Sequence, residues 1–130
     1  MASQELFYLN ALRSLPPVGD KTLRALVEHF GSAQAAWESS SYSPIPGVGK
    51  AAAEALSKKE SSVHPAKAWE HLEKEGIRVL HEDDPLYPAL LREIPDHPLI
   101  LYVRGSYDWS QERPAIAIVG SRKFTSYGEQ

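Results

Sequence analysis

The residues best suited to chemistry stand together near position 120. Gly120-Ser121-Arg122-Lys123 follows an unbroken apolar run, Ala115-Ile116-Ala117-Ile118-Val119. A glycine lets the backbone approach a ligand closely. Ser121 offers a hydroxyl, and Arg122 a planar fork that matches two phosphate oxygens at once. Lys123 adds a point charge. At the carboxyl end of a strand, where open α/β sheets bind their ligands, such a turn cradles an anion. It is neither the G-x-G-x-x-G dinucleotide fingerprint nor a phosphate loop of the Walker type. The same residues also suit a plain strand-to-helix turn with solvated charges.

A second constellation is Ile45-Pro46-Gly47-Val48-Gly49-Lys50, echoed thirty residues earlier by Leu15-Pro16-Pro17-Val18-Gly19-Asp20. Each reads apolar, proline, any residue, valine, glycine, and then a helix. That is the punctuation of a helix-hairpin-helix unit. In a DNA-binding version, backbone N–H groups and the following helix N-terminus meet a phosphate. Gly47, Gly49 and Lys50 are the candidate contacts. The first copy is weaker, because Pro17 removes a donor and Asp20 places a negative charge at the helix start. Turns of this kind also simply join packed helices.

No catalytic constellation accompanies these turns, and the chain reads as a non-enzyme without a cofactor. Histidines 29, 64, 71, 81 and 97 are scattered, with no metal-ligand spacing among them. The cluster His81-Glu82-Asp83-Asp84 reads as a solvated polar turn rather than a cation site. Trp37 and Trp69 fall on helix faces and read as core residues rather than base-stacking platforms.

The elements that must hold these groups follow from periodicity. Leu6, Leu9, Leu12 and Leu15 predict a helix over 3–15, with Ser3 as its cap. Leu23, Leu26, Val27 and Phe30 predict another over 20–31, closed by Gly31. Ser32 caps a short helix over 32–39. Further helices are expected over 50–59 and over 64–76, the last with Pro65 in its first turn. The pattern then changes. A short strand followed by a turn is expected over 77–84, and strands at 98–105 and 115–120, with a helical turn or two over 87–94. The last strand, apolar throughout, suits a buried parallel strand. The expected organisation is a helical domain over 1–76 and the start of an α/β domain over 77–130.

Composition narrows the class. The 130 residues carry a net charge of −3 and no cysteine, which excludes disulfides and cysteine-ligated metals. Residues 1–65 hold six Lys/Arg and six Asp/Glu; residues 66–130 hold eight and eleven. An anion site here is therefore local rather than a broad basic coat. No apolar run approaches the roughly 20 residues of a membrane span, so the chain reads as cytoplasmic, with no membrane partner.

Ala115–Gly128, "AIAIVGSRKFTSYG", resembles the glycine-serine-arginine signature of the DprA/Smf family (DNA processing protein A). Residues 83–105, "DDPLYPALLREIPDHPLILYVRG", resemble the approach to it. The leading helices with their two hairpin-like turns resemble that family's SAM-like domain. The resemblance implies a cytoplasmic, non-catalytic, single-stranded-DNA-binding recombination mediator of natural transformation, which protects incoming strands and loads RecA. It implies a Rossmann-like DNA-binding domain in which Arg122 meets the phosphate backbone while Gly120 and Ser121 shape the loop. Lys123 is added on charge alone. The implied Rossmann-like domain runs well past this sequence, so the chain reads as a piece of a longer, homodimeric protein. Two other functions remain open: a helical protein-interaction module with little DNA affinity, and a nucleotide- or phosphate-binding Rossmann-like protein. The helical domain is expected to meet double-stranded DNA or a protein partner.

Overall fold

The computed structural model describes residues 2–106, 108, 111, 113–123 and 125–129, with backbone alone at 2, 3 and 129. Trp109 lies outside the described residues. The fold is mostly helical, with one small antiparallel sheet. Helices α1 (Ala2–Arg13), α2 (Asp20–Phe30) and α3 (Ala33–Glu38) pack on one another. Their apolar stripes supply Leu9, Leu12, Leu23 and Leu26, all fully buried. Helix α1 already includes position 3, so Ser3 lies within it rather than ahead of it.

The ends of the short α3 are well satisfied. At its start, Ser32 Oγ accepts from the Ala35 N–H at 3.1 Å, and Glu5 of α1 accepts from the Ala33 N–H at 2.8 Å. Both donors would otherwise lack partners. At its end, the buried Tyr42 hydroxyl lies 2.7 Å from the Ala36 carbonyl and 2.8 Å from that of Ser39. The Lys59 ammonium donates to the Ser39 carbonyl at 3.0 Å and stands over the rings of Trp37 and Tyr42. A cation is favoured at the negative end of a helix. Lys59 is only 6% exposed, and the expected 50–59 helix breaks beside it into α4 (Lys50–Ser57) and α5 (Lys59–Ser62).

Helix α6 (Pro65–Lys74) leads through Gly76 into β1 (Ile77–His81), which pairs antiparallel with β2 (Ile100–Arg104). Ile77 faces Arg104, Val79 faces Tyr102, and His81 faces Ile100. Side chains alternate between the two faces of a strand. Val79 and Ile100 join the helical core, and Tyr102 donates to the buried Asn10 of α1 at 2.8 Å. Leu80 and Val103 face the other way, forming a small second cluster with Tyr87, Leu91 and Leu101. The strand pair is thus packed between the helices and the 84–94 segment, which contains α7 (Ala89–Arg92).

The expected strand at 115–120 is not formed. That stretch has no regular secondary structure, and Ile116, Ile118 and Val119 are 90%, 95% and 90% exposed. An all-apolar strand needs neighbours along its edges and layers on both faces. Among the described residues the sheet has two strands, and neither pairs with this run. A last helical turn, α8 (Ser126–Glu129), follows the Arg122 turn.

Candidate nucleic-acid interface

The two hairpins close in the same way. The Val18 N–H donates to the Leu15 carbonyl at 2.9 Å, and the Val48 N–H to that of Ile45 at 3.0 Å. Gly19 and Gly49 then cap α2 and α4 without a side-chain acceptor. The first hairpin is occupied by its own charges. Arg13 pairs with Asp20 at 3.4 Å and donates to the Val18 carbonyl at 3.1 Å.

The second hairpin is a proline–glycine turn with Gly47 at φ +85°. A turn with proline second and a positive φ third needs glycine there. A Cβ at Gly47 would stand 2.8 Å from the Cβ of Ala25 on α2. Gly47 is therefore required by packing between the hairpin and α2. A Cβ at Gly49 would meet nothing, and Lys50 is exposed. The shallow groove beside them, about 400 Å³, is lined by Ile45, Val48, Lys50 and Ala53, and also by Glu54, so its charge is mixed.

The terminal turn is open. Gly120 has no neighbour that a Cβ would touch. Ser121 Oγ donates to the Lys123 carbonyl at 2.5 Å, which closes the backbone around Arg122. The Gly128 N–H donates to Thr125 Oγ1 at 3.2 Å, at the start of α8. Arg122 and Lys123 are exposed, and among the described residues no ion pair holds either. Two cations, a hydroxyl and a glycine thus share one short loop. Among the described residues no hydrogen bond or ion pair joins this loop to the 45–50 hairpin.

Residues 78–130 match the family model described as DNA recombination-mediator protein A. Residues 78–130 carry DprA/Smf-family sequence. Over its whole length the chain is also 30% identical to the protein Smf of Synechocystis sp.. It spans about a third (34%) of that relative's length. No solved structure matches it. The DprA/Smf match contains the Gly120–Lys123 turn, β2 and all of β1 but Ile77; the two hairpins lie ahead of it.

Where the DprA/Smf segment meets α2 the structure shows a polar junction that no local pattern marks. Arg24 of α2 donates to both carboxylate oxygens of Glu82, at 3.1 and 2.9 Å, and to the His97 carbonyl at 3.1 Å. The Arg24 hydrogen bonds hold the Glu82 carboxyl below the ordinary carboxylate range, against the opposing effect of burial. His97 Nε2 lies 2.5 Å from the same carboxylate. Arg92 donates to the Glu82 carbonyl at 2.8 Å, and the Tyr87 hydroxyl to that of Pro98 at 2.7 Å. Burial pushes the Tyr87 hydroxyl above its ordinary range. The expected solvated turn at 81–84 is therefore corrected in part. Asp83 is solvated, but Glu82 ties the β segment to α2, and Asp84 accepts from the Leu86 N–H at 2.8 Å. Among the described residues no cluster could hold a metal ion, and no helix is long and apolar enough to cross a membrane.

Proposed function

We propose that this chain is part of a DNA recombination mediator that grips single-stranded DNA at the Gly120–Lys123 turn. The observation that carries the reading is the family match over 78–130, which contains an exposed turn whose two cations make no ion pair among the described residues. In this reading Arg122 forks onto a phosphate, Lys123 adds charge, and Gly120 and Ser121 keep the loop narrow enough for a strand to approach. Affinity then comes from phosphate contacts and carries little sequence preference. No chemical step is assigned to the chain. Protection of incoming DNA, RecA loading, homodimer formation and a cytoplasmic site of action belong to the same proposal for the whole protein. So do the SAM-like assignment of residues 1–76 and the Rossmann-like assignment of 77–130.

The test is fluorescence anisotropy of a labelled oligo-dT against the chain at two salt concentrations, with Arg122→Glu and Lys123→Glu beside the wild type. Loss of binding in both variants supports the reading. Binding that persists in Arg122→Glu removes it.

A second reading concerns the helices alone. Gly47 is explained by its approach to Ala25, and Asp20 by its pairing with Arg13. These observations favour hairpins that join helices, and a helical part that positions the DprA/Smf segment or meets a protein. Lys50-dependent binding of duplex DNA would count against it.

A further inference from the structure

The junction between α2 and the 82–99 segment holds a histidine whose two ring nitrogens both face acceptors. His97 Nε2 lies 2.5 Å from Glu82 Oε2, and Nδ1 lies 2.9 Å from the Ile94 carbonyl oxygen. A carbonyl oxygen has no proton to give. Glu82 already accepts two hydrogen bonds from Arg24 and sits as a carboxylate. A neutral imidazole has a single N–H, so one of these contacts would set lone pair against lone pair. Only a ring carrying both protons makes the two contacts at once. His81 differs: its Nδ1 accepts from the Asp83 N–H at 3.2 Å.

We propose that His97 is a proton-dependent latch, which fastens the 94–99 segment to Glu82 when the ring carries two protons and lets go when it loses one. The groups around it set its balance. From α2 come Arg24, with Glu28 acting on Arg24 and Asp20 acting on Tyr87. The 82–88 segment contributes Glu82 and the Tyr87 ring, 6.3 Å away and edge-on. From α7 comes Arg92, over the Tyr87 ring at 5.4 Å. Glu82 is the charged group in direct contact with the ring. Release is local. Arg24 still holds the His97 carbonyl, Tyr87 still holds Pro98, and the Glu82 N–H still donates to the Leu99 carbonyl at 2.9 Å. The change is therefore felt in the 94–97 turn, next to β2, rather than in the helical core.

The experiment uses the full chain. Nitrogen-15 spectra of the His97 ring at about pH 6, where imidazoles populate both forms, are expected to show a proton on each nitrogen. Amide exchange across 94–99 is then compared in wild type and His97→Gln at about pH 6 and pH 8. The wild type is expected to be more protected at the lower pH, and the difference to shrink by up to tenfold per pH unit, the limit for about one linked proton. A ring with a single N–H at the lower pH overturns the latch. So does a protection difference that does not change with pH.

Discussion

Replacing Gly47 by alanine isolates what the second hairpin is for. At φ +85° an alanine pays the left-handed penalty of about 1–2 kcal/mol. A less flexible unfolded chain returns about 0.4–1 kcal/mol of that. The new Cβ would stand 2.8 Å from the Cβ of Ala25, an overlap between two backbone-fixed atoms that no rotamer relieves. Overpacking of that kind costs about 1–3 kcal/mol. The expected loss is about 1–5 kcal/mol of folding free energy. Gly49→Ala is the matched control, because its φ is −73° and its Cβ enters open space. It should fall within about 0.5 kcal/mol of the wild type. Urea unfolding followed by circular dichroism reads both. Adding Ala25→Gly to Gly47→Ala removes the overlap, so the double-mutant cycle should return a coupling of about 1–3 kcal/mol. If the two glycine variants lose stability equally, or if the coupling is absent, Gly47 is not a packing glycine. If Gly47→Ala stays folded and loses duplex DNA binding, the hairpin is a phosphate site instead.

Further outcomes follow from the polar contacts. Tyr42→Phe removes the donor at the carboxyl end of α3 and should cost about 1 kcal/mol or more by urea unfolding. Burial, with a smaller effect of Glu60, pushes the Tyr42 hydroxyl up to about 12. Its raised value means the stabilisation is complete below the ordinary tyrosine value near 10 and is lost as pH rises towards about 12, so the gap between wild type and Tyr42→Phe should narrow over that window. Glu82 behaves in the opposite sense. Its lowered value makes its contribution present above the ordinary carboxyl range and lost as pH falls through the folded value. Arg24→Met should therefore flatten the acid limb of the stability–pH curve, and an unchanged limb would deny the pairing a role.

Much of the helical part was legible because its signals are local. Gly31 ends α2 at φ +85°, with its N–H donating to the Val27 carbonyl; Ser32 caps α3; Pro65 opens α6. Each depends on residues within one turn, and the sequence displays them directly. The strand pair was visible in composition, but its antiparallel register depends on contacts between residues 19 to 27 apart. The partnership of Arg24 with Glu82 spans 58 residues and leaves no mark near either. The inward turn of Lys59 was hidden for a related reason. A lysine late in an expected helix reads as solvated, and only the end of α3, brought in by the fold, supplies the carbonyl and rings that bury it.

The 115–120 run shows where periodicity alone misleads. Its residues have strand propensity, yet a strand is a property of a pair. Without a partner among the described residues, the run remains irregular and exposed. The Gly120–Lys123 turn was legible as a set of residue types, and the structure leaves it exposed. The glycines of the 45–50 hairpin were legible too, but the reason for Gly47 was not, because Ala25 lies on another helix.

The most direct test of the central claim is a map of amide chemical shifts on titrating oligo-dT into the nitrogen-15-labelled chain. The account predicts that the largest changes fall on residues 120–123 and fade with added salt, while 45–50 stay still. Changes centred on 47–50, or none at 120–123 under conditions where the chain binds DNA, would contradict it.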